Sequence, residues 1–536
     1  MTGTLVITSA AYSSPEFVST FGLLPPAFLP IGNKRLYEAQ AILVADIKCR
    51  KFLSIPADFD ISPNELNHIH ELGFEIIRVP LELRLGESIA NVLEQTEPLE
   101  GELRILHGDT IVLDFPFKRL DVVSEGVTNE YYSWAEYKIS PKGKIQFFDG
   151  LMSGLAANSP AGQRGVLSGY FCFSNGHAFV RCLELADYDF IPSLNEYVRE
   201  NDLTPIKKGQ WLDFGHLDQY YQSKAQMTTE RIFNEIHISR RTVRKSSEDR
   251  EKMRAEAAWF ENLPNPLKVF IPQYLGKFSD HKFEGYETEY LYLSTLSDLS
   301  VYGRLPTYVW QRIFQSCDDY LITGKKFQPD TPPSYSHQLY LDKTLERLTD
   351  YARQTGIDLT KDWYYAGQTL PNLNEIAIKT AALIPKASKE SLQIIHGDFC
   401  FSNILYDFRA NSVRLIDPRG RTIDQTPSIY GDVRYDIAKL YQSAVAGYDF
   451  IVCEQHHLED DDEYKLDLTL PASTEIIERQ TIFRERKFAG YSLEEASSKP
   501  IAILLFLSML PLHHDSTTRQ RAFLANALRL YAELGI

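Results

Sequence analysis

The residues best suited to chemistry lie in the stretch IIHGDFCFSNILYDFRANSVRLID, Ile394–Asp417. Asp398 stands in a His396-Gly397-Asp398 turn behind an apolar lead-in. Asn403 follows five residues later, and Asp417 ends the apolar run Val413–Ile416. A carboxylate in such a loop can orient an acceptor hydroxyl and take its proton. An amide oxygen and a second carboxylate, from a neighbouring loop and strand end, can hold Mg²⁺ on nucleotide phosphates. Asp398 is therefore the candidate general base of a phosphoryl transfer, and Asn403 and Asp417 are the candidate metal ligands. A plain Asp/Asn-rich hairpin would explain the turn but not the strand-end Asp417.

The surrounding elements have to hold that loop. Arg231–Ser239 and Thr242–Ser246 read as two strands of a small antiparallel sheet, joined by Ser239-Arg240-Arg241. Ser247–Leu263 reads as a helix with an apolar side of Met253, Ala257 and Phe260, on which Glu256 also falls. Tyr286–Leu293 alternates like a strand. From Pro306 the pattern turns helical, with amphipathic stretches at Leu341–Thr355 and Leu373–Leu383. Downstream, Asp432 suits a helix cap. Asp436 and Lys439 share one helix face and read as structural. Arg419 and Arg421 either meet a substrate phosphate or carboxylate, or pair with Asp424 and Asp432. The acidic run beside His456 and His457 reads as a solvated turn, and Trp363–Tyr365 as packing on a helix.

The 394–417 stretch resembles the HxDxxxxN catalytic loop of the aminoglycoside phosphotransferase and choline kinase families, as does GDVRYDIAKL, Gly431–Leu440. Asp417-Pro-Arg-Gly stands where protein kinases carry Asp-Phe-Gly. The resemblance implies an α+β two-lobed protein-kinase-like domain over 227–536, with a small lobe over about 227–300 and a helical lobe beyond. It also implies ATP as phosphoryl donor and a strand Lys on the phosphates, held by a helix Glu. Lys245 with Glu256 fits best, with Glu251 the rival.

The first half alternates apolar runs with helical patterns. Runs at Leu5–Ser9, Phe74–Val79 and Leu103–Leu106 read as strands, and Ala41–Asp46 as a strand or helix end. Pro63–Leu72 and Ser88–Leu93 read as helices between them, so a parallel sheet is expected. Asp109 falls at one strand end and Asp213 just ahead of a helix, where two carboxylates can share a divalent metal. PPAFLPIGNKRLYEAQ, GESIANVLE, the HGD at Asp109 and the WLDFG at Asp213 resemble the sugar-1-phosphate nucleotidyltransferases, LSGYFCFS resembles their substrate-side strand, and together they follow that family's order. This implies an α/β doubly wound nucleotidyltransferase-like domain over 1–226. Asp109 and Asp213 would be its catalytic carboxylates and Mg²⁺ ligands, and a nucleoside triphosphate such as CTP its donor. The family's Gly-rich loop, Arg and Pro-Lys pair are replaced by AAYSSPEFVSTFGLLPPAFLP, with Pro26 in the Lys position. Either Lys34 or Arg35 supplies the charge, or the loop works differently, or this half binds without catalysing.

Composition bounds the rest. The 536 residues favour two to four domains, and 44% hydrophobic with 24% charged residues is a globular balance. A net charge of −16 argues against nonspecific binding to nucleic acid or anionic membranes. Six scattered cysteines without a CxxC pair fit a reducing compartment. No signal-like segment opens the sequence and Ile501–Leu512 is too short to span a bilayer, so a cytoplasmic protein is expected. Two functions remain open. One is a bifunctional enzyme that phosphorylates a sugar, polyol or amino alcohol and then nucleotidylates the product for surface polysaccharide or lipid synthesis. The other is a kinase with a degenerate nucleotide-sugar-binding half. The sequence leaves a homo-oligomer open.

Overall fold

The computed structural model describes residues 3–128, 132–141, 143–150, 164–228, 230–231, 234–279, 283–329, 337–422 and 425–536. The chain forms two compact units, Met1–Met227 and Thr228–Ile536. Among the described residues no helix is long and apolar enough to cross a membrane.

Unit 1 is built on a seven-stranded sheet. Its strands are β1 Thr4–Thr8, β2 Arg50–Pro56, β3 Glu75–Val79, β4 Leu103–His107, β5 Val122–Thr128, β6 Arg164–Phe173 and β7 Thr204–Ile206. Their order is β7-β5-β6-β4-β1-β2-β3. β1 and β4 are buried along four of their five residues, as strands covered on both faces must be. Helices Leu36–Leu43, Pro63–Glu71 and Leu85–Gln95 cross between β1, β2, β3 and β4, and the pairs β1–β2, β2–β3 and β1–β4 are parallel. Ala41–Asp46 is the end of the first of these helices and the turn after it.

The sheet is mixed, not wholly parallel. β6 runs antiparallel to both β4 and β5. Among the described residues between β5 and β6 there is a hairpin, Glu136–Ile139 with Ile145–Phe148, and no crossover helix. A strand returning without a crossover has to run back antiparallel. Beside the sheet, Thr110–Leu113 pairs antiparallel with Gln210–Asp213, which sets Asp213 opposite Thr110.

Unit 2 opens with a five-stranded antiparallel sheet. Its strands are β8 Glu230–Arg231, β9 Asn234–Ile238, β10 Thr242–Ser247, β11 Tyr274–Ser279 and β12 Glu284–Glu289, in the order β8-β9-β10-β12-β11. Helix α1, Arg250–Asn262, follows β10. Its cap is Asp249, whose side chain accepts from the Lys252 N–H. It stops at Leu263, whose extended backbone is what a following proline demands. The rest is mainly helical and includes α2, His337–Thr355, and α3, Val433–Ala444.

Two segments differ from the expectation. Trp363–Tyr365 is a strand, not a helix, in a four-stranded sheet with Gln368–Leu370, Lys465–Thr469 and His457–Asp462. The acidic run is therefore an edge strand. Charges there keep an open edge from pairing with another chain, and Arg521 ties it down at Asp460.

Candidate functional site

The loop after strand Leu392–Ile394 is shaped by backbone contacts before its side chains do anything. Gly397 takes φ +79° and Asp417 φ +56°. Both Asp436 carboxylate oxygens accept backbone N–H groups of this loop, His396 at 2.7 Å and Gly397 at 2.8 Å. His396 is 1% exposed. Its Nε2 lies 2.9 Å from the Ile416 carbonyl, which can only accept, so Nε2 carries the proton and Nδ1 accepts from Asp398 N–H at 3.3 Å. Burial lowers the His396 pKa to about 4 and keeps the ring neutral. Trp259 of α1 donates to the Ile395 carbonyl at 2.8 Å, which joins α1 to the same loop.

Asp398 and Asn403 meet. The Asn403 amide nitrogen donates to the Asp398 carbonyl and to its Oδ2, each at 3.0 Å. That turns the amide oxygen away from Asp398. Asn403 also accepts from Ile416 N–H through its own carbonyl, so the hairpin Ile404–Asp407 with Ser412–Leu415 sets Asn403 beside the strand end that delivers Asp417.

Lys245 and Glu256 meet as well. Lys245 Nζ lies 2.8 Å from Glu256 Oε2 and 3.1 Å from Asp417 Oδ1. Burial opposes its charge, but Asp417 and Glu256 hold it well above the usual lysine range. Glu256 sits on the buried face of α1 with Met253, Ala257 and Phe260. Burial pushes its carboxyl up while Lys245 pulls it down. Glu251, the rival, lies in the first turn of α1, and the Lys245 contact goes to Glu256. In the turn between β9 and β10, the Ser239 hydroxyl accepts from the Thr242 and Arg241 N–H groups, which closes the turn without glycine. Past Asp417, Gly420 has φ +63°, and a Cβ there would stand 2.1 Å from the Ala255 carbonyl oxygen of α1.

Two site residues escaped the sequence reading. Lys439 Nζ lies 3.0 Å from Asp398 Oδ1, so it belongs with the loop rather than only with its own helix. Burial works to raise the Asp398 pKa, yet Lys439 brings it below the usual carboxylate range. Tyr286 is the second, its hydroxyl donating to Glu256 Oε2 at 2.9 Å. An Asp and a Lys three residues on, at a helix start, were the available signal for Lys439. Nothing local pointed from Tyr286 to Glu256.

Lys245, Glu256, Asp398, Asn403, Asp417 and Lys439 all line one cleft of about 970 Å³. Arg419 and Arg421 line it too. Arg419 donates to the Tyr435 hydroxyl at 3.1 Å, and Arg421 lies 3.9 Å from Asp249. Asp432 is taken by Arg434 and by capping α3. Asp424 lies outside the described residues.

In unit 1, Asp109 and Asp213 also converge. A Cβ on Gly215 would meet Asp109 Oδ2 at 2.5 Å and Asp213 Oδ1 at 3.3 Å, so glycine leaves room for both carboxylates. Asp213 accepts from Gly215 N–H at 2.9 Å and contacts His216 Nδ1 at 2.7 Å. Burial and the nearby Asp213 charge raise Asp109, while burial lowers His107. Lys34 is exposed on the short strand Lys34–Arg35, and among the described residues no bond joins it to either carboxylate. Arg35 is committed to Glu65 at 2.9 Å and to the Phe28 carbonyl at 2.7 Å. Among the described residues no cluster of three or more His, Cys, Asp or Glu is arranged to hold a metal ion.

No family model matches the chain, and no curated protein does. Among solved structures, HddC from Yersinia pseudotuberculosis matches at 15% identity over 42% of this chain and 100% of its own, with a TM-score of 0.31. An aminoglycoside-3'-phosphotransferase of type VIII matches at 12% identity over 53% of this chain and 99% of its own, with a TM-score of 0.30. A thermostable mutant of aminoglycoside phosphotransferase APH(4)-Ia, solved with ADP and hygromycin B, matches at 12% identity over 56% of this chain and 91% of its own, with a TM-score of 0.35.

Proposed function

We propose that unit 2 is a small-molecule kinase that moves the γ-phosphoryl group of ATP to a hydroxyl. The observation that carries this reading is Lys245 held between Glu256 and Asp417, in the same cleft as Asp398 with its Lys439 partner. Lys245 suits the nucleotide phosphates, and Glu256 and Tyr286 fix its position. The acceptor oxygen bonds to the γ-phosphorus as that phosphorus parts from the β–γ bridging oxygen. ADP leaves with the electron pair, and Asp398 receives the acceptor proton. Because Lys439 keeps Asp398 ionised, the carboxylate is ready to accept at neutral pH. The Asn403 amide oxygen and the Asp417 carboxylate are hard oxygen donors of the kind Mg²⁺ prefers, and the ion when bound would neutralise phosphate charge.

For unit 1 we propose nucleotidyl transfer onto the phosphorylated product. An oxygen of that phosphate bonds to the α-phosphorus of a nucleoside triphosphate, CTP being the first to try, and pyrophosphate departs. Asp109 and Asp213 are the candidate metal-holding carboxylates. The activated product would feed surface polysaccharide or lipid synthesis. The second reading, a binding domain without catalysis, is favoured by one observation: Arg35 is committed elsewhere and so adds no free charge for a leaving pyrophosphate.

The test is a coupled assay with Mg²⁺, ATP and CTP against polyols, sugars and amino alcohols, products resolved by mass spectrometry. Asp398→Asn should lose the phosphomonoester and Asp109→Asn only the nucleotidyl product. A phosphomonoester formed equally by Asp398→Asn would overturn Asp398 as the base, and none formed by the wild type with any acceptor would overturn the kinase assignment. No nucleotidyl product with any base would leave the binding reading for unit 1.

A further inference from the structure

The cleft holds more basic side chains than the residues assigned above account for. On α2, Tyr340, Lys343 and Arg347 recur at i, i+3 and i+7, which puts them on one helix face. The Tyr340 ring stacks on Tyr435 of α3 at 6.0 Å between centroids. Arg419 lies over the same Tyr435 ring at 5.6 Å. Two stacked rings thus tie the basic face of α2 to the segment that follows Asp417.

Lys343, Arg347, Arg419 and Arg421 all line the cleft that Asp398 lines. Among the described residues no ion pair engages Lys343 or Arg347. Arg421 has a long contact to Asp249, at 3.9 Å. Asp342, Glu346 and Asp350 of α2 line the cleft as well, but among the described residues no ion pair joins them to these four, and Asp350 pairs with Arg353. Burial, and after it the neighbouring cations Arg419, Arg347, Lys439 and Arg421, bring the Lys343 ammonium down to about 7. Arginines and lysines converging from separate elements are suited to bind an oxyanion through charge-assisted hydrogen bonds.

We propose that Lys343, Arg347, Arg419 and Arg421 form an oxyanion subsite, and that the acceptor phosphorylated at Asp398 is a hydroxyl compound bearing a phosphate or carboxylate. This rests on the kinase reading of the cleft and narrows it. A neutral polyol would bring this group no counter-charge, and an amino alcohol would add a further cation.

The experiment loads full-length protein with Mg²⁺ and a non-hydrolysable ATP analogue, so that the donor phosphates are in place. Inorganic phosphate and acetate are then titrated by calorimetry into wild type, Lys343→Gln/Arg347→Gln and Lys343→Arg. At least one anion should bind the loaded wild type, and its affinity should fall about tenfold or more in the double variant, with Lys343→Arg largely retained. The tighter anion tells a phosphorylated acceptor from a carboxylated one. Anion binding that is absent, or equal in wild type and double variant, overturns the subsite. The analogue's own affinity reports on the reading beneath it. If wild type does not bind the analogue, the kinase reading fails; if it binds the analogue and no anion, the subsite alone fails. Hydrogen exchange over α2 confirms that the double variant is folded.

Discussion

Replacing Lys245 by Met would leave Glu256 and Asp417 facing a thioether in place of an ammonium. Glu256 would lose its 2.8 Å ion pair and keep the Tyr286 hydroxyl at 2.9 Å and Lys252 at 3.9 Å. Its side chain is 4% exposed, so water does not replace what is lost. Breaking one side of a buried pair costs about 3–5 kcal/mol. That cost has a direction in pH. Burial already raises the Glu256 carboxyl, and Lys245 is what opposes it. Without Lys245 the folded state holds a proton that the unfolded chain releases above its ordinary value of 4.5. The deficit relative to wild type is therefore largest at neutral pH and shrinks as pH falls toward that value. Urea unfolding at pH 5 and pH 7.5 measures it. Hydrogen exchange over Arg250–Asn262 separates unit 2 from unit 1, since a two-unit chain need not unfold in one step. A deficit below about 1 kcal/mol at pH 7.5, the size of an exposed pair, would refute the buried pairing. A Lys245→Met/Glu256→Leu chain should recover most of the loss, because a volume-matched apolar pair often does as well as a buried ion pair.

Four further outcomes follow from the same contacts. Lys439→Met removes the cation 3.0 Å from Asp398, so the acidic limb of the pH–rate profile should move to higher pH, with nucleotide affinity unchanged. Asp436→Asn turns an acceptor for two loop N–H groups into a partial donor; chemical denaturation should show a loss of about 1–3 kcal/mol, with faster exchange at residues 396–397. His396 stays neutral in the fold down to about 4 against an ordinary 6.5. Its contribution is complete above 6.5 and is lost as pH falls from 6.5 toward 4, by about 3 kcal/mol, and a flatter acid profile in His396→Gln checks it. The equally depressed His513 adds to the wild-type slope with the same sign. Gly420→Ala should cost more than about 1 kcal/mol by thermal unfolding, since its Cβ would press on the Ala255 carbonyl at a left-handed φ.

The sequence made Asp398, Asn403 and Asp417 conspicuous because they sit within one hairpin, where spacing dictates proximity. Lys245 and Glu256 were readable for a similar reason: strand and helix are consecutive, and Glu256 shares the apolar side of its helix. Lys439 was found on a helix start but not on Asp398, because that contact depends on how α3 docks beneath the loop, which no local pattern encodes. Tyr286 was hidden likewise, its role set by the β10–β12 pairing that places it opposite Lys245. The parallel-sheet expectation failed at β6, where a buried run looks the same in either direction. The acidic edge strand was missed because charge outweighed alternation in the reading. For Lys34 the sequence offered a nearby charge, but not that the hairpin leaves it in solvent.

The Lys245–Asp417 contact also bears on how the chain is made. Asp417 emerges about 170 residues after Lys245, and at roughly 5–20 residues per second that is on the order of ten to thirty seconds of translation. Through that interval the nascent sheet and α1 can form the Lys245–Glu256 pair but not the Lys245–Asp417 contact. Lys245 therefore waits with one of its two carboxylate partners until the hairpin that ends in Asp417 is made.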